Sequence, residues 1–411
     1  MCPERYLKTI IMKFAQRIQN IQPSMTLAIS AKAKSLKEQG IDVIGFGAGE
    51  PDFSNPENIK QAAIDAIQNN ETHYTIVSGT NALKDAIIEK FEHDNGLAYD
   101  RKQIVVSCGA KHSFYNLAQV LWDAGDEVII PAPYWVSYPD MVILANATPV
   151  IVDTDQTSGF KITPQQLQKA ITNKTRAVVL NSPSNPTGSA YTKDELEALA
   201  EVILKNKLLV ISDEIYEKIV FDGFEHVSIA SLSDELKQST VVINGASKCF
   251  AMTGWRIGYL AANADIASAV SKLQGQSTSN PTSIAQAATV EALTGEKTSG
   301  EIDRMVVEFK KRRDYLMDRY AKIEGVSCYK PIGSFYSFPD FSGLHGKLWN
   351  GKTLSGSLDI AEFLLEEAKV ALVPGIAFGA DNNQRLSFAT SMEKIKEGMD
   401  RIESAVKSLH T

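Results

Sequence analysis

The chain has 411 residues, of which 44% are hydrophobic and 22% charged, and a net charge of −7. That length exceeds one ordinary core and predicts two domains. The acidic balance argues against nucleic acid or an anionic membrane surface as the main partner, and no apolar stretch approaches the roughly 18 residues that span a membrane.

Short β-rich runs alternate with amphipathic helices. Ile104-Val105-Val106, Glu127-Val128-Ile129-Ile130, Val150-Ile151-Val152, Ala177-Val178-Val179-Leu180, Leu208-Leu209-Val210-Ile211 and Val241-Val242-Ile243 read as strands. Most are apolar on both faces, as in a helix-covered parallel sheet. Thr163-Pro164-Gln165-Gln166 and Thr192-Lys193-Asp194-Glu195 fit the capping box and predict helix starts. The spacing predicts one long helix over 299–321. Beyond it, Gly333-Ser334-Phe335-Tyr336-Ser337-Phe338, Val370-Ala371-Leu372-Val373 and Arg385-Leu386-Ser387-Phe388 alternate with helices in an α+β pattern. The expected architecture is therefore α/β: a large domain over 51–299 with a mostly parallel sheet, a smaller α+β domain over 300–411, and a segment over 1–50 packed with the small domain.

Four cysteines, Cys2, Cys108, Cys249 and Cys328, are scattered without a CxxC pair, as expected in a reducing compartment. Cys108 and His112 lack a second ligand pair, so no metal site is expected. The N-terminal run Met1-Cys2-Pro3-Glu4-Arg5 lacks the apolar core of a secretory signal, and the cytoplasm is the expected location. Met1 and Met12 are both candidate starts.

The most informative run is Ser247-Lys248-Cys249-Phe250-Ala251-Met252-Thr253-Gly254-Trp255-Arg256. It places a lysine directly after an apolar strand, where such side chains are normally absent. A desolvated lysine loses part of its preference for the ammonium form and can condense with an aldehyde to a Schiff base. Arg256, eight residues on, suits a phosphate. An aldehyde joined to a phosphate describes pyridoxal 5′-phosphate (PLP). Other strand ends carry matching chemistry. Ser107-Cys108-Gly109-Ala110-Lys111 offers small residues and backbone N–H groups at a helix start. Asn185 lies in the rigid loop over 181–188. Asp213 follows the strand ending at Ile211; alone it reads better as a helix N-cap, but a buried carboxylate also demands a cation, and a protonated pyridine nitrogen is one. Asn185, Asp213, Lys248 and Arg256 each meet one demand of the same cofactor.

These residues, with Gly47-Ala48-Gly49-Glu50-Pro51-Asp52-Phe53 and Pro133-Tyr134-Trp135-Val136-Ser137-Tyr138, give a chain that resembles the fold-type I, class I/II PLP-dependent aminotransferases over nearly its whole length. Within them it is similar to the bacterial aspartate aminotransferases of the subgroup shared with prephenate aminotransferases. The resemblance implies a fold-type I transferase and the reaction of L-aspartate with 2-oxoglutarate to oxaloacetate and L-glutamate, with ping-pong kinetics. By it, Lys248 holds the cofactor and shuttles a proton, Asp213 keeps the ring nitrogen protonated, and Tyr216 bonds the ring hydroxyl and, with Asn185, lowers the basicity of the Schiff base. Trp135 would stack on the ring, while Arg256 and the N–H groups of Gly109, Ala110 and Lys111 would take the phosphate. Tyr74 matches a tyrosine lent to the neighbouring subunit's phosphate, which implies a homodimer with shared sites. Arg385 and the Gly49 N–H would bind the substrate α-carboxylate, and Lys111 its distal carboxylate, helped by residues 277–280 of the partner chain. Relatives active on prephenate carry a lysine where this chain has Gln22, so aspartate is expected to be used far better than prephenate.

Three other readings stay open. One is an aminotransferase for alanine, aromatic, kynurenine-type or prephenate substrates. Another is a PLP-dependent elimination or decarboxylation. The last is a non-catalytic PLP-binding regulatory module, disfavoured by the acidic charge and the short stretch before Pro23. His112 and Cys249 read as packing.

Overall fold

The computed structural model describes residues 13–21 and 25–409. Gln22 and both candidate starts therefore lie outside the described residues. The central feature is a seven-stranded sheet of β1 (Ile104–Ser107), β2 (Glu127–Ala132), β3 (Thr148–Asp153), β4 (Thr175–Asn181), β5 (Leu209–Asp213), β6 (Thr240–Gly245) and β7 (Gly258–Ala261), in the order β1-β7-β6-β5-β4-β2-β3. All neighbouring pairs are parallel except the two made by β7, which runs antiparallel to β1 and β6. Six of these strands match the apolar runs of the sequence. The seventh, Gly-Tyr-Leu-Ala, is too short and too small for periodicity to expose, and it owes its place to close approach. A Cβ on Gly258 would lie 2.1 Å from the backbone nitrogen of Ala110. β3 departs from the two-sided apolar pattern because it is the sheet edge, where Ile151 stays 39% exposed.

Helices cover both faces of the sheet. One side packs α1 (Ala110–Leu121) and α2 (Ser137–Leu144) through Phe114, Leu117, Met141 and Val142. The other buries Leu196, Leu199 and Ile203 of the helix Lys193–Lys205. The capping boxes at Thr163 and Thr192 form as their sequences predict, with Thr163 Oγ1 and Thr192 Oγ1 accepting from the N–H groups of Gln166 and Glu195.

The predicted long helix is α3 (Thr298–Tyr320). Its Phe309 and Leu316 enter a separate apolar core with Phe335, Leu386, Phe388, Ile395 and Met399, to which Ile44 and Phe46 also belong. Strands here are short: Tyr336–Ser337, Gln384–Ser387 and Val373–Pro374 form an antiparallel sheet, and Ile44–Gly45 pairs in parallel with Val370–Ala371. Among the described residues no helix is long and apolar enough to cross a membrane.

Candidate active site

Parallel α/β sheets present ligands beyond the carboxyl ends of their strands, and here those ends open into a cavity of about 580 Å³. Asp213 is the last residue of β5 and is buried. A run of turns follows it in place of the helix that an N-cap would need. Its Oδ2 accepts from the Tyr138 hydroxyl at 2.5 Å, and its Oδ1 from the Ile215 N–H at 3.3 Å. Burial pushes the Asp213 carboxyl up to about 6, against the pull of those two donors and of Lys248. Parallel pairing sets Asn181 beside Asp213 in register. Asn181 donates to the Asp213 carbonyl and accepts from the Asn185 N–H at 2.9 Å, so it fixes the loop that carries Asn185.

Lys248 follows β6, the next strand in the sheet. It is half-buried, and its Nζ donates to the Gly49 carbonyl at 2.5 Å. Burial, followed by the cation of Arg385, lowers its ammonium to about 8. Tyr216 is buried beside it, sharing a 3.1 Å hydrogen bond with the Tyr336 hydroxyl.

The loop from β1 to α1 forms a cradle. Gly109 has φ 90°, and a Cβ there would lie 2.5 Å from Arg256 Nη2. Only glycine therefore lets the arginine close over this loop. Arg256 itself is held at φ 56° and donates to the Thr253 carbonyl at 2.8 Å. Its guanidinium and the first N–H groups of α1 converge on the kind of site that takes an anion. Lys111 stands at the rim with its Nζ 4.8 Å from the centre of the Trp135 ring. Both line the cavity, as does Asp140.

Arg385 approaches from Gln384–Ser387 of the second core and is 3% exposed. It donates to Asn185 Oδ1 at 3.1 Å and to the Gly47 carbonyl at 2.8 Å, and its guanidinium lies 4.6 Å from the Tyr336 ring centre. Its Nε has no partner among the described residues. A buried cation without a carboxylate is costly, so this end of the cavity fits an incoming acid.

Gly49, Ala110, Lys111, Trp135, Asn185, Asp213, Tyr216, Lys248, Arg256 and Arg385 all line the one cavity. Gly109 is not among its lining residues: it packs against Arg256, and its N–H, expected at the phosphate, donates instead to the Ser107 carbonyl at 2.7 Å. Tyr74 is set apart, 90% exposed on the surface. Sequence reasoning gave no role to Tyr138, Tyr336, Asn181 or Asp140. Tyr138 and Asp140 fall in or beside a motif it singled out, but their partners are up to 75 residues away in the chain, and no spacing encodes that. A second polar group, Glu214, Glu217 and His226, brings its potential ligand atoms within 4.8 Å of one another. Its members are already engaged: Glu217 with Lys90, and Glu214 with His226 and the hydroxyls of Ser212 and Ser228.

A lysine of lowered basicity, a buried carboxylate, an anion cradle and an unpaired arginine in one cavity suit a phosphorylated aromatic aldehyde together with a carboxylic acid. Comparison with known proteins points the same way. Residues 41–402 match the model of the family described as aminotransferase class I and II. The aspartate aminotransferase of Bacillus sp. (strain YM-2) is 50% identical, over 96% of this chain and 99% of that one. The aspartate/prephenate aminotransferase of Nitrosomonas europaea is 49% identical over the same shares. Among solved structures, the aspartate aminotransferase from Rhizobium meliloti superposes with a TM-score of 0.94 at 45% identity, covering 97% of this chain and all of that one. The Thermus thermophilus aspartate aminotransferase with maleate gives 0.91 at 39%, over 96% of this chain and all of its own. The chain belongs to the class I and II aminotransferases.

Proposed function

We propose that the chain transfers the amino group of L-aspartate to 2-oxoglutarate, with PLP as cofactor and Lys248, Asp213 and Tyr216 as its catalytic residues. The observation that carries this reading is the meeting of Lys248, Asp213, Arg256 and Arg385 in one cavity. When bound, PLP supplies an aldehyde and an electron-withdrawing ring. Lys248 provides the amine that attaches it and moves the proton at the substrate Cα. Asp213 holds a proton on the ring nitrogen, and Tyr216 and Asn185 bond the ring hydroxyl. Trp135 covers the ring face. Arg256 with the N–H groups of Ala110 and Lys111 takes the phosphate, while Arg385 and Gly49 take the α-carboxylate.

Lys111 is assigned to the distal carboxylate because it is an exposed cation lining the same cavity as Arg385, with its ammonium over the Trp135 ring. A relative solved with maleate, a dicarboxylate, supports that choice. Tyr74, Ile76, Ile64 and Ile67 are each exposed, at 90, 52, 44 and 54%. Exposed large apolar side chains suit a protein partner, and a second copy of this chain would lend Tyr74 to the neighbouring phosphate. Cysteines 108, 249 and 328 are free thiols, in keeping with a reducing cytoplasm.

The test is spectroscopic. Protein loaded with PLP is expected to show a visible band that L-aspartate bleaches and 2-oxoglutarate restores, from a species sedimenting at twice the chain mass. A band that ignores aspartate but answers another amino acid would overturn the substrate. Pyruvate or CO₂ release in place of amino transfer would overturn the reaction. Lys111→Ala is expected to lower kcat/KM for aspartate by roughly 10–100-fold, the cost of one charged hydrogen-bonding partner, while sparing alanine. Equal losses on both substrates would move the distal-carboxylate role elsewhere. Relatives named aspartate/prephenate aminotransferase favour a second reading. On that reading kcat/KM for prephenate would equal that for aspartate; we expect aspartate to be far ahead.

A further inference from the structure

We infer that Tyr138 is a positioning residue: its hydroxyl orients the Asp213 carboxylate and keeps the proton on the cofactor ring nitrogen rather than on Asp213. The inference rests on the function proposed above and extends it to a residue without a role there. Three features carry it. First, the bond is short, 2.5 Å from the Tyr138 hydroxyl to Asp213 Oδ2, and both residues are buried, at 2% and 6% exposure. Second, among the described residues Asp213 takes only one other hydrogen bond at its carboxylate, the 3.3 Å contact from Ile215 to Oδ1. Oδ2 thus depends on Tyr138, and a donor to the ionised form lowers the basicity of an acid. Third, Tyr138 is itself held. It stands in the first turn of α2, with Phe114 at 4.9 Å between ring centres and Trp135 edge-on at 5.2 Å. The ring proposed to cover the cofactor face and the hydroxyl that fixes Asp213 are therefore packed as one unit.

The titratable groups around Asp213 are Tyr138, Glu214, Tyr216 and Lys248. Tyr138 is the one that donates to its side chain. Without that donor, Asp213 becomes the stronger base and draws the proton from the ring nitrogen. A less positive ring withdraws fewer electrons. The pH at which the visible band titrates should then rise.

Tyr138→Phe keeps the ring and removes the donor. We expect the midpoint of the visible band to rise by about one pH unit and cofactor loss on dialysis to quicken roughly tenfold, as for one hydrogen bond to a charged group. kcat should fall by a similar factor with KM for aspartate unchanged. Phe114→Leu, which loosens the packing but leaves the hydroxyl, should leave the midpoint in place. Tyr138→His, which retains a donor, should return it toward the wild-type value, and it serves equally if the Phe variant does not fold. A Phe variant with wild-type midpoint and cofactor retention overturns the inference while the proposed function stands. A wild-type protein that acquires no visible band with PLP overturns the proposed function itself.

Discussion

Lys248→Ala is expected to abolish transamination, lowering kcat by roughly 10⁴-fold or more, because one side chain has two tasks. Loss of a positioned proton carrier alone costs roughly 10²–10⁴-fold, and loss of covalent attachment adds to it. The environment of Lys248 is arranged for the attachment. With its ammonium lowered from 10.5 to about 8, roughly a tenth of the side chain is neutral at pH 7, against roughly 0.03% for an ordinary lysine. The neutral amine is the nucleophile. Attachment of PLP to the cofactor-free protein should therefore quicken about tenfold per pH unit below 8 and level off above it. Borohydride reduction of the loaded protein, followed by peptide mass spectrometry, checks the site directly. The adduct is expected on the peptide containing Lys248, and an adduct on another lysine with undiminished turnover in the alanine variant would reject the assignment.

Much of this was legible in the chain because strands and catalytic residues share a boundary. Asp213 and Lys248 each end or follow an apolar run, and a charged residue in that position is conspicuous. The capping boxes at Thr163 and Thr192 were legible for the same local reason, since all their partners lie within three residues. What stayed hidden was non-local. β7 is four residues long and is defined by antiparallel pairing to β6 just before it and to β1 far back in the chain. Tyr138 sits inside a visible motif, yet its meaning depends on Asp213, 75 residues away. Arg385 and Tyr336 come from short strands late in the chain, and they reach Asn185 and Tyr216 across separations of 200 and 120 residues. Only the resemblance carried Arg385 into the site, because an arginine in a short strand otherwise reads as a snorkelling surface residue. Its 3% exposure excludes that reading.

That burial leads to the second large effect. Arg385→Lys is expected to lower kcat/KM by roughly 10²–10³-fold for aspartate and for 2-oxoglutarate alike. Truncating one member of a buried, hydrogen-bonded charge pair typically costs roughly 2–5 kcal/mol, and lysine keeps the charge while losing the planar fork that grips a carboxylate at two points. The fork here is already oriented. One Nη donates to Asn185 and the other to Gly47, and the Tyr336 and Phe378 rings lie 4.6 and 5.0 Å from the guanidinium. Holding the arginine in place before the acid arrives spares the ordering that binding would otherwise require. Both substrates present an α-carboxylate, so both half-reactions must suffer together. This separates Arg385 from Lys111, whose loss should distinguish aspartate from alanine. Arg385 is also a buried cation whose Nε has no partner and whose titratable neighbours are Tyr336 and Tyr216 rather than a carboxylate, among the described residues, a state that costs folding energy until substrate fills it. Arg385→Leu should therefore abolish activity without lowering the melting temperature of the substrate-free protein. A marked drop in that temperature, with kcat/KM of the lysine variant within tenfold of wild type, would make Arg385 a structural residue instead.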